Sequence, residues 1–344
     1  MKKYGIVLII LIFGIFITGC NNESDNTKVV VYSPHGAGER GEFITRRAKE
    51  DLNLDIEFLS AGGGALADRL SAEKNNPQAD VVLALNQLFL HRLKDEGVLE
   101  KFEPKWAKEI DSKYRDEDGY FYGFGRSPIV IAYNTAFLNK ATAPKSWLDL
   151  VKPDYRNKYE ISSLGNQTTR MYIAGMLWRF YDKNKGDISE EGWQFLRQLY
   201  RNARYVGQQS LDWAEVKNGK MPIVLDWYGG VVRDAKNHGV DMAFVETSGG
   251  TPIVAESIAL IKGGSNSENA KKFIEWFGSA EFMAEYAEEF FHFGQVPLNK
   301  RAIDLVNVEI RKASQLFEEQ DMDLRIISEK LNNWLKKIEL EIMP

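Results

Sequence analysis

The fold is decided by YGFGRSPIVIAYNT, residues 122–135. Two glycines flank Phe124, and Arg126 and Pro128 lead into an apolar run at residues 129–132. An uninterrupted apolar run predicts a strand that is covered on both faces. Glycine permits backbone angles that other residues resist, while proline stiffens the chain. We therefore expect a rigid crossing strand entered through a hinge at residues 123–127, where the Arg126 guanidinium suits a carboxylate or phosphate.

Before this stretch, apolar strands alternate with amphipathic helices. Strands are predicted at residues 29–32, 56–60 and 80–85, and this alternation indicates a parallel α/β sheet. Ligands bind such sheets beyond the carboxyl ends of the strands. Small or polar candidates follow those ends: Ser33, His35, Gly36, Ser60, Gly62, Gly63, Gly64 and Asn86. A helix that opens after three glycines offers backbone donors to an anion, although a flexible turn is the commoner use of such a triplet.

A second α/β unit follows the crossing strand. Predicted strands at residues 159–162 and 223–225 again end in polar helix starts, SLGNQTT and DWYGG. The candidates there are Ser163, Gly165, Asn166, Thr168, Thr169, Asp226, Trp227 and Tyr228. A long apolar strand at residues 253–261 is preceded by Gly250 and Pro252, just as glycine and proline precede the apolar run of the first crossing strand. Two lobes joined by two crossing strands are therefore expected.

The amino terminus has the pattern of an export signal. Two lysines precede an apolar run at residues 6–17, which is too short to span a bilayer, and the run ends in ITGC at Cys20. That ending resembles the bacterial lipobox, where the signal is removed before a cysteine that receives lipid. The chain has no other cysteine, so no internal disulfide is expected. We predict a signal peptide at residues 1–19, lipidation of Cys20 and a polar tether at residues 20–27; an uncleaved membrane helix is the alternative.

Composition narrows the class of function. A chain of 344 residues with 44% hydrophobic and 27% charged residues is expected to form two soluble lobes. The net charge is −5 and becomes more negative when the leader lysines are removed, which argues against a nucleic-acid partner. The sequence contains no dinucleotide fingerprint, phosphate loop, nucleophile elbow or metal motif. We therefore expect neither an enzyme, such as a hydrolase, nor a bound cofactor.

Several segments carry a more specific resemblance: VVYSPHG at 30–36, SAGGG at 60–64, NPQADVV at 76–82, PKSWLDLVKP at 144–153 and VPLN at 296–299. Together with the crossing strand they resemble the type II solute-binding proteins of ABC importers, in the group that binds ferric iron, organophosphates or phosphonates. The resemblance implies a two-lobed α/β periplasmic-binding-protein fold with the ligand cleft between the lobes. Lobe 1 would comprise residues 28–125 and 253–300, lobe 2 residues 126–252, and residues 301–344 would form C-terminal helices packed on the lobes.

The resemblance also implies a function. A small phosphorylated or phosphonate solute would be captured between the lobes by a monomer that touches the membrane only through its lipid. The protein would then deliver this solute to an ABC permease and its ATPase. Arg126 and the helix start at residues 163–169 would bind the charged group. A lipoprotein that presents its ligand to a membrane sensor is a further alternative.

Ferric iron is the main alternative ligand, carried as cargo and not as a cofactor. The ferric members hold it with two adjacent tyrosines, a histidine and an acid. This chain has Trp227 and Tyr228 at the tyrosine pair, Asn86 where the acid is expected, and His35 near the histidine position. A hard cation favours anionic oxygen ligands, so Tyr228 and His35 alone would make a poor site unless Asp226 or an anion completed it. We expect no resident metal and favour the phosphorylated or phosphonate ligand.

Overall fold

The computed structural model describes residues 27–207 and 211–343; the predicted leader and Cys20 lie outside these ranges. The strands are β1 Lys28–Tyr32, β2 Asp55–Leu59, β3 Val81–Asn86, β4 Leu99–Glu100, β5 Phe121–Asn134, β6 Glu160–Ser162, β7 Tyr181–Asp182, β8 Asp187–Ile188, β9 Arg204–Gly207, β10 Ile223–Trp227, β11 Met242–Phe244 and β12 Ile253–Ile261.

The helices are α1 Glu39–Leu52, α2 Gly63–Ala72, α3 Gln87–Asp95, α4 Gln167–Trp178, α5 Glu190–Asn202, α6 Trp213–Lys217, α7 Tyr228–His238, α8 Ser267–Phe277, α9 Ala280–Glu289, α10 Lys300–Leu305, α11 Val308–Ala313 and α12 Leu324–Glu341. Short 3-10 helices cover Lys105–Glu109, Ser112–Tyr114, Trp147–Val151, Pro153–Tyr155 and Phe291–Phe293. Among the helices of the described ranges, none is both long enough and apolar enough to cross a bilayer.

Strand β5 belongs to both halves of the molecule. Its first half pairs antiparallel with β12, and its second half pairs antiparallel with β10 and β11. All 14 residues of β5 are buried, as the apolar run predicted. The predicted hinge at residues 123–127 is not a loop but lies inside this strand. Its glycines are needed for close packing, because a β-carbon on Gly123 would lie 2.9 Å from the carbonyl oxygen of Tyr114.

Lobe 1 is built on a mixed sheet. Strands β2, β1 and β3 pair in parallel, and β12 joins β3 antiparallel on its way back from the second half of the chain. The expected parallel α/β unit is thus present in β1 to β3, and the sheet is mixed because the returning strand β12 runs antiparallel to β3. Helices α1, α8 and α9 cover one face with apolar side chains such as Ile44, Phe273 and Tyr286. We keep the names lobe 1 and lobe 2 for the ranges predicted above.

Lobe 2 surrounds the other half of β5. Strands β6 and β9 pair in parallel, and helices α4 and α5 pack over a core that includes Trp147, Tyr159 and Tyr172. The Tyr159 hydroxyl lies 2.9 Å from the Leu199 carbonyl oxygen, to which it donates, so the polar end of this buried ring is satisfied. This core supports α4, whereas α7 packs on a separate apolar cluster that includes Val130 and Val224.

The last described residues touch both lobes. Helix α12 buries an apolar stripe that includes Ile327, Leu331 and Ile338. The Ser328 hydroxyl donates to the Leu88 carbonyl oxygen of lobe 1 at 3.0 Å, and the Trp334 indole donates to Asp187 of lobe 2 at 2.8 Å. We call residues 315–341 the C-terminal arm. The arm therefore packs across the boundary between the lobes.

Candidate functional site

A cavity of about 160 Å³ lies where the lobes and the two crossing strands meet. Its lining comes from the loop after β1 and the first turn of α1, from both crossing strands, and from the starts of α4 and α7. The lining residues are Pro34, His35, Arg40, Ser127, Ile129, Gln167, Thr168, Trp227, Val254 and Glu256. Three residues predicted from the sequence, His35, Thr168 and Trp227, thus meet in one place although they are far apart in the chain.

His35 is held by a buried turn. The Ser33 hydroxyl accepts a hydrogen bond from the His35 amide at 3.0 Å, so Ser33 shapes the loop and does not face the cavity. The Tyr286 hydroxyl lies 3.1 Å from His35 Nδ1. Burial lowers the pKa of His35, and the nearby Arg40 guanidinium lowers it further. His35 is therefore neutral at ordinary pH.

Arg40 and Glu256 place opposite charges beside His35. Arg40 Nη1 lies 2.7 Å from His35 Nε2, and Glu256 Oε1 lies 3.3 Å from the same nitrogen. A neutral ring with its proton on Nδ1 accepts from Arg40 at Nε2 and cannot also donate to Glu256. Burial alone would raise the pKa of Glu256, but the Arg40 guanidinium and the side-chain amide of Gln295 hold it below its ordinary value. The cavity therefore contains one fixed cation and one ionised carboxylate.

Neither Arg40 nor Glu256 is among the residues predicted from the sequence. Gly38, with a left-handed φ of 68°, forms the turn that brings Arg40 back to His35, and this turn was the available signal for Arg40. Glu256 stands within the apolar run of β12, and a single acid in a fully buried strand was the signal there.

Two helix starts converge on the cavity. Helix α4 begins at Gln167, and the side chain of Asn166 caps it by accepting from the Thr168 amide at 2.8 Å. Helix α7 begins at Tyr228, directly after Trp227, without a side-chain cap. The amides of a first helical turn carry a partial positive charge and attract anions. Because Gln167, Thr168 and Trp227 all line the cavity, both helix starts favour negative charge there.

A second cavity of about 250 Å³ lies within lobe 2 and shares Thr168 with the first. Among the predicted residues, Asn166, Thr169 and Asp226 also line it. Burial raises the pKa of Asp226 to about 6, although its Oδ1 accepts from the Trp227 amide at 2.8 Å. This cavity is rich in oxygen acceptors and suits hydroxyl or amino groups more than a second anion.

The glycine-rich turn of lobe 1 contacts lobe 2 instead of the cavity. A β-carbon on Gly64 would lie 2.8 Å from the carbonyl oxygen of Gly165, and one on Gly63 would lie 2.8 Å from Gln167 Oε1. The lobes therefore touch across the cleft, and these glycines allow the close approach. Ser60 and Gly62 are exposed beside that contact, and neither lines the cavity.

Other predicted residues make contacts within the protein. Both terminal nitrogens of Arg126 donate at 2.8 Å, to the carbonyl oxygens of Leu316 and Phe317, and Arg126 does not line the cavity. The Tyr228 ring packs on Phe244 at 4.9 Å and on Phe317 at 5.6 Å, outside the cavity lining. Burial raises the pKa of Tyr228, which disfavours the phenolate that iron would need.

Three further predicted residues have structural contacts. Asn86 is fully buried and caps α3 by accepting from the Phe89 amide at 3.2 Å, while its Nδ2 has no partner among the described residues. Ser163 Oγ accepts from the Gly165 amide at 3.1 Å and so shapes the turn before α4. The Gly36 amide donates to the Ser33 carbonyl oxygen at 3.2 Å in the turn after β1.

Comparisons with known proteins agree with this architecture. Residues 76–314 match the family of bacterial extracellular solute-binding proteins. The chain is 42% identical over 314 residues to a probable ABC transporter periplasmic-binding protein of Sinorhizobium fredii, covering 91% of this chain and 86% of that one. It is 26% identical over 243 residues to a putative 2-aminoethylphosphonate-binding periplasmic protein of Salmonella typhimurium, covering 68% of each chain.

A solved structure shows the same fold. The ferric binding protein from Campylobacter jejuni superposes with a TM-score of 0.75 at 20% sequence identity, covering 90% of this chain and 98% of that one. The predicted two-lobed periplasmic-binding-protein fold is thereby confirmed. Because the family model spans most of the chain and the rhizobial relative matches nearly all of it, the chain belongs to the bacterial extracellular solute-binding proteins, the non-enzymatic solute-capturing components of ABC transporters.

Proposed function

We propose that this solute-binding protein captures a small phosphorylated or phosphonate anion between its lobes and delivers it to an ABC permease. The proposal rests on one observation: the Arg40 guanidinium and the starts of α4 and α7 meet at a single cavity. A guanidinium binds phosphate oxygens with charge-assisted hydrogen bonds, and helix amides add further donors. The relative named for 2-aminoethylphosphonate supports the same class of ligand.

The carboxylates of Glu256 and Asp226 indicate which phosphorus compounds fit best. Glu256 lines the same cavity as Arg40, and it would repel a ligand that carries negative charge throughout. A solute that bears an amino or hydroxyl group beside its acidic head would satisfy both residues. The adjoining cavity, with Asp226 and Thr169, offers room and acceptors for such a group.

Ferric iron has weaker support. Trp227 and not a tyrosine lines the cavity, and the Tyr228 ring is engaged with Phe244 and Phe317. Within residues 27–207 and 211–343, no group of three or more histidine, cysteine, aspartate or glutamate side chains is arranged to hold a metal ion. Iron cargo would thus need ligands from an accompanying anion or from a large rearrangement.

The membrane anchor is also part of the proposal. The ITGC ending of the leader supports lipidation of Cys20 and attachment to the membrane on its outer side. The likeness to an ABC transporter component favours delivery to a permease over presentation to a sensor. We expect the protein to act as a monomer.

Titration calorimetry tests the ligand class. We would titrate purified protein with 2-aminoethylphosphonate, ethylphosphonate, sugar phosphates and ferric citrate. Arg40→Ala should weaken binding of the best phosphorus compound by about 2 to 5 kcal/mol, because it removes a charge-assisted contact in a closed cavity. The matched control is Arg46→Ala on the same helix, where the side chain is exposed and pairs with Glu50. Tight ferric binding that disappears in Tyr228→Phe, with no heat from any phosphorus compound, would overturn the proposal.

A further inference from the structure

The C-terminal arm forms an isolated parallel β-bridge with the residues just before crossing strand β12. The Thr251 amide donates to the Glu318 carbonyl oxygen at 2.7 Å, and the Gln320 amide donates to the Thr251 carbonyl oxygen at 2.9 Å. Thr251 and Glu319 form a parallel bridge just before β12 begins. The arm is therefore fixed by backbone hydrogen bonds at the point where the chain passes between the lobes.

Side chains fix this part of the arm to lobe 2. Gln320 Nε2 donates to the Gly175 carbonyl oxygen at 2.7 Å, and Arg179 donates to Gln320 Oε1 at 3.1 Å. The Phe317 ring packs on Tyr228 and Phe244, and its backbone has a φ of 63°, in the left-handed region that bulky residues avoid. The two bonds from Arg126 to the carbonyl oxygens of Leu316 and Phe317 hold that conformation.

The residue between these anchors points to lobe 1. The Glu319 carboxylate accepts from the Tyr114 hydroxyl at 2.5 Å and also pairs with Lys113. Tyr114 is buried in lobe 1, and the Glu319 side chain is one-quarter exposed. Because Glu318 and Gln320 are bonded to Thr251 of lobe 2, the contacts of Glu319 join lobe 1 to lobe 2, in addition to the contacts that α12 makes with both lobes.

We propose that Glu319, with Lys113 and Tyr114, is an inter-lobe latch that stabilises the closed conformation from outside the ligand cavity. Opening of the lobes would break the contacts of Glu319 with lobe 1, so these contacts shift the fraction of closed protein and hence the apparent affinity. The latch does not depend on which ligand is bound. Its arm residue, Glu319, lies beyond the matched family model, which ends at residue 314, whereas Lys113 and Tyr114 lie within the matched range.

The test measures inter-lobe distance without any ligand. Spin labels would be attached at Lys74→Cys in lobe 1 and Asn237→Cys in lobe 2, both exposed positions, in full-length protein with Cys20→Ser. Electron–electron resonance then reports the populations of open and closed protein. Glu319→Ala should raise the ratio of open to closed molecules about three- to thirty-fold, because it removes one ion pair and one buried hydrogen bond.

Exchanging the charges of Lys113 and Glu319 distinguishes loss of the latch from a general loss of stability. Lys113→Glu and Glu319→Lys should each favour the open form, and the double exchange should restore part of the closed population because the ion pair re-forms with reversed sign. Asp111→Asn is the matched control, since it removes a lysine–carboxylate pair with Lys300 that lies wholly on the lobe 1 side. The latch is refuted if Glu319→Ala leaves the distances unchanged, or if the exchange restores nothing. Both outcomes are independent of whether a phosphorus compound binds.

Discussion

Adding one methyl group at Gly64 should weaken ligand capture without harming the fold. Gly64 lies in the first turn of α2, and the inter-lobe contact brings it against the backbone of Gly165. A β-carbon there would lie 2.8 Å from the Gly165 carbonyl oxygen, closer than real β-carbons approach other atoms. Backbone cannot move aside as a flexible side chain can, so Gly64→Ala forces the lobes apart.

The expected loss of affinity depends on which conformation contains the clash. Overpacking by a methyl group costs about 1 to 3 kcal/mol, and here only the closed conformation carries that cost. The affinity for ligand should therefore fall about five- to 150-fold. The free energy of unfolding of the open protein should not decrease, because alanine is a better helix former than glycine by up to about 1 kcal/mol.

Neighbouring glycines supply the controls. Gly62→Ala changes the same turn, but a β-carbon there meets nothing within 4 Å, so its affinity should match that of the wild type. Gly63→Ala should lie between the two, because its main clash is with the movable side chain of Gln167. Calorimetry with the best phosphorus compound and solution scattering with and without it measure affinity and closure. The reasoning fails if Gly64→Ala binds and contracts as Gly62→Ala does.

Three further predictions concern other parts of the chain. Burial raises the pKa of Asp226 to about 6, against 3.8 for an ordinary aspartate. Below about pH 4 the carboxyl is protonated in the folded and unfolded states and costs no stability. Its ionisation then destabilises the folded protein as the pH rises through 6. Asp226→Asn should thus gain about 1 to 3 kcal/mol relative to wild type between pH 4 and pH 8 in urea denaturation, and equal pH profiles would contradict this. Trp334→Ala should lower the stability by about 3 to 5 kcal/mol by removing a buried ring and its bond to Asp187; a melting temperature within two or so degrees of wild type would contradict it. Cys20→Ala should abolish an acyl mass at the mature amino terminus, and an unsubstituted protein that carries no such mass would disprove lipidation.

Local patterns were enough to predict most of the fold. The apolar run of β12 was predicted with the bounds that the structure has, and β5 crosses between the lobes as expected. These elements follow from short-range signals, namely buried apolar runs and polar turns. The crossing strand begins earlier than predicted, at Phe121, and so contains the predicted hinge; Gly123 is needed within it because Tyr114 packs directly against the strand.

The site was harder to predict because it depends on contacts between distant residues. His35, Thr168 and Trp227 follow strand ends, so topology alone predicted their meeting. Arg126 was a reasonable anion ligand by type and position, yet its partners are backbone carbonyls about 190 residues away in the C-terminal arm. No pattern near residue 126 signals such a partner, because carbonyl groups are present at every residue.

The position of β12 in the sheet determines when the sheet can be completed during synthesis of the chain. This strand lies between β5 and β3, yet it leaves the ribosome more than 100 residues after them. Until residue 261 has been synthesised, β3 and the first half of β5 each have an unpaired edge, because the strand that lies between them is missing. Nascent chains therefore remain unfinished in this region until late in translation, and during that time they offer extended segments to chaperones or to an export channel.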